Sequence, residues 1–286
     1  MVRFRFVLRP VSAVRPWGED SPRWGWFILT DGRYRIEPGG DELPGHTDGT
    51  ADSQSSAGGC AGVPAPPWVD YHVARVWEDV VDLMPRILEP VPADLLDFVA
   101  GESLDVAWPA APEVEAARSW HAGHALDVGH LRTSPDIRFR RTVSADADPD
   151  PDADPDPDPD TMTVTWSHPV DPDDDDPTGF TAPSTHRVTL PTGAFIAAVT
   201  AFDRELFAAM EERIADLEAT GPPAGIALDL RQLRHEQRDR ATWLGRAMTR
   251  GTDTDWPAVR AGAAALLGQP GGSPGGPADA PPGGTG

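Results

Sequence analysis

Three histidines in one short stretch of this chain are the first candidates for metal chemistry. His121, His124 and His130 lie in WHAGHALDVGHL, with Asp127 between the last two. If residues 113–124 form a helix, His121 and His124 lie one turn apart on one face, as two metal ligands do. Asp127 could add a carboxylate. The HExxH spacing is absent and no cysteine is near, so packed or surface histidines are the other interpretation.

A group of carboxylates on another candidate helix could transfer protons or hold a metal. Glu78 and Asp82 are four residues apart, and Asp79 and Asp82 are three apart, so all three could share a helix face. The other interpretation is a solvated acidic face, or ion pairs to arginines on the strands. The apolar residues beside them suggest partial burial for some of the three.

Arginines form two further candidate sites. Those on predicted strands alternate with apolar residues, so most should leave the core on one basic sheet face. Such a face could bind phosphate, RNA or an acidic protein, or it could pair with helix carboxylates. A second set forms a stripe on a predicted helix. The candidate binding residues are Arg3, Arg5, Arg138 and Arg140 on strands, and Arg231, Arg234 and Arg238 on the helix.

Several chemistries are excluded by composition. All 24 basic residues are arginine, so a Schiff-base lysine and a phosphate-binding loop with its lysine are absent. The chain has no asparagine, which excludes a Cys-His-Asn triad. A single cysteine, Cys60, excludes an intrachain disulfide and a multi-cysteine zinc site. No GxSxG elbow occurs, and no GxGxxG follows a predicted strand. We therefore expect no cofactor, with a metal ion as the one alternative.

The formal charge of −22 is concentrated in two segments rich in aspartate and proline. Residues 144–177 hold 13 aspartates and no arginine or glutamate, and without them the net charge is −9. A mildly acidic body with very acidic insertions suits a basic protein partner and disfavours nucleic acid.

Alternating apolar residues predict strands at 2–9, 136–143 and 161–166. Residues 24–29 and 33–37 flank Thr30-Asp31-Gly32, which favours a tight hairpin turn. The last two alternating segments predict a second hairpin, with the Asp-Pro insertion at its tip.

Apolar residues at spacings of three and four predict the helices. They run from Val69 to Ile87, where Pro85 should kink or end the helix. The other predicted helices are 93–100, 113–124, 195–217, 229–249 and 256–267. The order of elements favours an α+β fold: an antiparallel sheet of about five or six strands, five or six helices, and a helical C-terminal third.

We expect a single domain over residues 1–267. It would carry a flexible loop at 38–67 and disordered acidic insertions at 144–160 and 171–177, and a disordered tail would follow at 268–286. No apolar run approaches the roughly 20 residues of a membrane span, and the N-terminus has no secretory pattern. These features predict a cytoplasmic protein with no membrane contact.

Four stretches resemble an uncharacterised bacterial family, a domain of unknown function common in high-GC bacteria. They are RPVSAVRPWG at 9–18, LTDGRY at 29–34, DYHVARVWEDVVDLMPRILEPVPADLL at 70–96 and TDWPAVRAGAAALL at 254–267. The resemblance implies no activity and no catalytic residues.

With no recognised catalytic motif, the sequence favours a non-catalytic module that binds another macromolecule, in a regulatory or immunity-like role. The alternative is a metal-dependent enzyme that uses the His121 and His124 region.

Overall fold

The computed structural model describes residues 1–39, 68–100, 112–131, 135–143, 160–167 and 185–267. Most of the predicted loop 38–67, nearly all of the insertion 144–160, the insertion 171–177 and the tail 268–286 lie outside these residues, as does Cys60. The expectations for those segments stay predictions.

The chain divides into two compact units. The larger unit comprises Met1–Val91 and His124–Thr252, and the smaller comprises Pro92–Gly123 and Asp253–Gly286. Each unit therefore contains two segments that are distant in sequence. The single domain expected over residues 1–267 stays a prediction.

The first sheet of the larger unit has three antiparallel strands: β1 (Val2–Leu8), β2 (Asp31–Pro38) and β3 (Val69–His72). β2 lies in the middle, so β1 and β3 are the edges. β1 alternates as predicted, with Val2 and Phe4 buried and Arg3 and Arg5 exposed. The alternation places one face of this sheet against the core.

The predicted hairpin around Asp31 and Gly32 is wrong. Residues 28–30 form a 3-10 turn, and both residues lie inside β2, which pairs with β1. Gly32 stands opposite Leu8, and a Cβ at this position would overlap the carbonyl oxygen of Val7. Glycine is thus required by the close approach of two strands and not by a turn.

The second sheet consists of β4 (Asp136–Val143), β5 (Asp160–Ser167) and β6 (Thr185–Pro191), with β5 in the middle. The predicted pairing of β4 with β5 is confirmed, and Val143 stands opposite Asp160. The single sheet of five or six strands is wrong, because the described residues form two sheets of three strands. Most β6 side chains are exposed, so its sequence lacks the apolar alternation that predicts a strand.

The described residues contain seven α-helices, five of which have at least eleven residues. They are α1 (Val73–Ile87), α2 (Leu96–Ala100), α3 (Pro112–Ala122), α4 (Thr192–Thr220), α5 (Leu230–Arg240), α6 (Trp243–Thr249) and α7 (Trp256–Leu267). The mixed α and β composition and the helical C-terminal third are confirmed. α1 ends two residues after Pro85.

The helix predicted over 229–249 is divided in two. The chain turns at Ala241 and Thr242, where the Thr242 hydroxyl and backbone N–H both donate to the Asp239 carbonyl, at 2.7 Å and 3.0 Å. Such a side-chain bond competes with regular helix geometry. The turn brings the Trp243 ring to 5.7 Å from the Trp77 ring of α1.

α4 contacts both sheets of the larger unit. Its Phe202 ring stacks on Phe4 of β1 at 5.2 Å, and its Phe195 ring lies 5.5 Å from Phe139 of β4. One helix therefore supplies apolar side chains to a core shared by both sheets.

The smaller unit is built on α3 and α7. Trp120 of α3 and Trp256 of α7 lie 5.7 Å apart, edge to face. Arg260 of α7 donates to Asp94 at 2.6 Å, and this ion pair holds the 3-10 turn before α2.

Candidate functional site

A groove of about 610 Å³ lies in the larger unit between β1, the end of β6 and α4. We call it the β1 groove. Its lining is mainly apolar and consists of residues 1–5, Leu190, Pro191, Ala194, Ala197, Ala198, Ala201, Phe202 and Glu205.

The groove runs along the edge of β1. Successive side chains of a strand point to opposite faces of the sheet, so a surface that touches one face meets every second residue. The β1 groove touches five consecutive residues, from Met1 to Arg5, and it therefore follows the strand edge itself. β1 is an edge strand of its sheet, which agrees with this placement.

The backbone of β1 presents hydrogen-bonding groups to this edge. At the two ends of the pairing with β2, the Gly39 N–H donates to the Met1 carbonyl and the Arg9 N–H donates to the Asp31 carbonyl. Alternation in an antiparallel pair then assigns the odd residues of β1 to β2. The N–H and C=O groups of Val2, Phe4 and Phe6 point the other way. Among the described residues, no backbone hydrogen bond outside the sheet reaches these groups.

Basic side chains lie along the rim of the groove. Arg3 and Arg5 are exposed, and Arg5 lies 3.6 Å from Glu37, which also pairs with Arg35 at 2.7 Å. Arg3 stands opposite Glu37 in the register. Glu37 therefore pairs with two arginines on the outer face of the sheet, whereas Arg3 on the same face donates to the Met1 sulfur at 3.2 Å.

The signal for this groove in the sequence is a row of small residues. Ala194, Ala197, Ala198 and Ala201 recur at spacings of three, one and three, so they share one face of α4. The regular spacing of large apolar residues, which predicts a buried helix face, does not reveal these alanines. They form a groove only because β1 is an edge strand, and the local sequence does not show which strands lie at an edge.

A second group of polar residues lies within the larger unit, on β2, β3, α1 and residues 124–131. We call it the Tyr34–Asp79 cluster, and it consists of Tyr34, Tyr71, His72, Arg75, Asp79, Asp127 and His130. Asp79, Asp127 and His130 are candidates from their sequence spacing, whereas nothing in the local sequence marks the other four.

Short contacts link the members of this cluster. The Tyr34 hydroxyl lies 3.3 Å from Nε2 of His130, whose ring lies 4.6 Å from the Tyr71 ring. Arg75 reaches two carboxylates, with its Nε 3.1 Å from Asp79 and its Nη2 2.7 Å from Asp127. The contact with Asp79 is an ion pair without hydrogen-bond alignment.

Burial sets the protonation of the cluster. It raises the pKa of the Asp79 carboxyl to about 7, and Arg75 opposes this rise only in part. Burial also raises the pKa of Tyr34 and lowers those of His72 and His130. Asp79 therefore exchanges its proton near neutral pH, and burial favours the neutral form of His130 in the same cluster.

His121 and His124 do not lie one turn apart on a common helix, as the metal-site hypothesis requires. α3 ends at Ala122, so the helix predicted through residue 124 is wrong. His121 lies on α3 in the smaller unit and its ring contacts Phe98 at 6.2 Å. His124 is buried in the larger unit, where its carbonyl accepts from the Phe139 N–H at 3.0 Å.

Asp127, the third residue of that hypothesis, is exposed and accepts from the Gly129 N–H as well as from Arg75. Within the described ranges, no three His, Cys, Asp or Glu side chains are grouped so as to hold a metal ion. The metal site stays a prediction.

The predicted acidic helix face is divided among three environments. Glu78 pairs with Arg240, whose guanidinium lies 4.6 Å from the ring centres of both Trp26 and Trp243. Asp79 is buried in the cluster, and Asp82 is exposed to solvent. The three carboxylates therefore do not form one site.

The helical arginine stripe is partly used in packing. Arg234 of α5 pairs with Glu218 at 2.7 Å and with Glu211 at 2.5 Å, both on α4. Arg238 donates to the Arg234 carbonyl at 3.1 Å, and Arg231 is exposed. The Arg234 pairs connect α5 to α4.

The strand arginines are divided between the two sheets. Arg138 pairs with Asp136 at 2.7 Å on β4. Arg140 is half-buried, and burial, together with the nearby Arg187, lowers its pKa. Arg3 and Arg5 belong to the other sheet, so the arginines do not lie on a single sheet.

Comparison with known proteins assigns the chain to a family. No curated protein and no solved structure matches this chain. No helix in the described part of the chain is long and apolar enough to cross a membrane. Residues 3–262 match a family of unknown function, which confirms the resemblance to an uncharacterised domain. Since the match spans nearly the whole sequence, the chain belongs to the DUF5984 family.

Proposed function

We propose that this protein binds a protein partner at the β1 groove and acts as a binding module without catalysis. The observation that carries the proposal is the combination of an apolar groove with an edge strand whose backbone groups point into it. Edge strands are templates for pairing with another chain, and apolar surface beside them adds affinity.

The chemistry of the lining favours a macromolecule over a small ligand. Small-molecule pockets combine apolar walls with a few polar groups that converge on one point. The polar groups of the β1 groove are instead spaced along a strand, and its two arginines lie on the outer rim. A partner that extends along the groove can use all of them.

A regulatory or immunity-like role and a cytoplasmic location remain proposals from the sequence. A basic partner was inferred from the total charge, most of which lies outside the described residues. At the groove the local charges are two arginines, Arg3 and Arg5, and one acid, Glu205. The pairing of strand arginines with Glu37 and Asp136 supports the view that nucleic acid is disfavoured. The metal-dependent enzyme stays the alternative.

The test is an affinity capture from nuclease-treated native lysate, with partners identified by mass spectrometry. Wild type is compared with Ala198→Trp, which fills the groove, and with Ala208→Trp, an exposed position on the same helix outside the groove. We expect a stoichiometric partner on wild type and on Ala208→Trp, and about tenfold less on Ala198→Trp. Equal recovery on all three proteins, or no partner on wild type, contradicts the proposal.

A further inference from the structure

We infer that the β1 groove accepts an extended peptide segment that adds as a strand beside β1 and alternates apolar with acidic side chains. This inference rests on the proposed function and specifies the partner. It follows from the backbone of β1, the shape of the groove and the charges on the rim.

The backbone determines the mode of binding. The outward N–H and C=O groups of Val2, Phe4 and Phe6 recur every second residue, at the spacing that a partner strand requires. A strand added at about 4.8 Å from β1 would satisfy them in sequence. An extended segment is therefore favoured over a helix, which keeps its backbone bonds internal.

The inner side of the groove determines the character of every second side chain of the partner strand. Phe4 and Phe202 form part of its floor, and the alanines of α4 form the opposite wall with little side-chain volume. That wall leaves space where a partner's apolar side chains can pack. Every second residue of an added strand would point into this space.

The outer rim of the groove determines the other half of the partner's side chains. The remaining side chains of the added strand would lie beside Arg3 and Arg5 on the solvent face of the sheet. Glu37 already pairs with Arg5 and Arg35, so this face carries more positive than negative charge. Acidic side chains match it. Glu205, the acid of the lining, lies on α4 and would repel acidic side chains on that side of the groove.

The same geometry disfavours a second copy of this chain as the occupant. If two β1 edges paired antiparallel, their even residues would exchange hydrogen bonds and odd residues would face odd residues. Arg3 of one copy would then stand beside Arg5 of the other. Like charges directly opposite destabilise a strand pair.

The experiment measures binding of fluorescein-labelled seven-residue peptides, the length of β1, to the full chain by fluorescence anisotropy. Valine alternates with glutamate, glutamine or arginine in the three series. A fourth peptide is the glutamate series with alternate backbone amides N-methylated, which removes the donors of a strand. We expect the glutamate series to bind tightest, the arginine series weakest, and N-methylation to abolish binding.

Two variants assign the binding to the rim. Arg5→Glu should weaken the glutamate series about threefold to tenfold and strengthen the arginine series, because it reverses one surface ion pair. Arg33→Glu is the control, since Arg33 is exposed on β2 and does not line the groove. We expect it to change binding less than about twofold.

Arginine peptides that bind as tightly as glutamate peptides would overturn the acidic specificity. Unchanged binding after N-methylation would overturn strand addition. If no peptide binds while Ala198→Trp still loses a captured partner, this inference fails and the proposed function stands. If Ala198→Trp has no effect on partner capture, the proposed function fails independently.

Discussion

Replacing Asp79 with asparagine should stabilise the folded protein at neutral and alkaline pH. Asp79 is buried, and its pKa in the folded state is about 7 against an ordinary value of 3.8. Between these values the folded protein holds a proton that the unfolded chain has released. Stability therefore falls as the pH rises from about 4 to about 7. Asparagine has a similar shape and no charge to bury.

The magnitude follows from the change in pKa. A difference of about three pH units, at about 1.4 kcal/mol each, gives an upper estimate of about 4 kcal/mol above pH 7. The pKa of about 7 already includes the attraction of Arg75, so losing that pair brings no further cost, and Arg75 keeps Asp127 as a partner. The variant should therefore be more stable by up to about 4 kcal/mol at pH 8, and this advantage should shrink by about 2–3 kcal/mol at pH 5.

The assay is urea unfolding followed by tryptophan fluorescence at several pH values between about 5 and 8. Trp26 and Trp77 are fully buried and report the transition. The other charged groups that face Asp79, including Arg75 and Asp127, are present in both proteins, so the difference between them isolates Asp79. Asp82→Asn is the control, because Asp82 is exposed on the same helix, and it should change stability by less than about 0.5 kcal/mol.

One result would refute the reasoning. If Asp79→Asn is less stable than wild type at pH 8, the ion pair with Arg75 outweighs the cost of burying the carboxylate, and burial does not raise the pKa of Asp79. A difference that does not depend on pH would likewise show that Asp79 does not titrate between pH 5 and 8.

Two further substitutions test the packing that positions the groove and the cluster. Gly32→Ala should destabilise the protein by about 1–3 kcal/mol in urea unfolding, because its methyl group overlaps the neighbouring strand. Gly25→Ala is the control and should not destabilise it, because a Cβ added at this position has no neighbouring atom within 4 Å. Gln237→Leu should cost about 2–4 kcal/mol, because it leaves the buried indole N–H of Trp26 without a partner and removes a second hydrogen bond to the Phe207 carbonyl of α4. A loss below about 1 kcal/mol would show that water replaces the glutamine.

Periodicity predicted the elements whose side chains are divided between core and solvent. The helix from Phe195 to Leu217, the strand at 136–143 and the helix at 256–267 all follow this pattern, and the structure confirms them. Val69 fits the same helical spacing but belongs to β3, because pairing with Tyr34 decides its conformation. Strand pairing connects residues distant in sequence, and local pattern does not encode it.

The candidate sites show the same limit. Asp79 was recognised as a carboxylate on a helix, but the groups that face it include Tyr34 and Asp127, which come from other parts of the chain. The β1 groove requires both an unpaired edge and a helix face of small residues, and neither is informative alone. Arg240 pairs with Glu78 and lies against two tryptophans, and these partners are too distant in sequence for local spacing to indicate them.

The division of the chain into interleaved units determines the order in which they form. α3 is synthesised before residues 124–252, and its partner α7 comes after them. A ribosome that has just added Thr252 has supplied every residue of the larger unit, whereas the smaller unit still lacks one helix of its pair. The apolar face of α3, with Val114, Ala117 and Trp120, has no α7 to pack against until that helix is synthesised. Closing so long a loop is slow and entropically costly, so the smaller unit should mature last and open first.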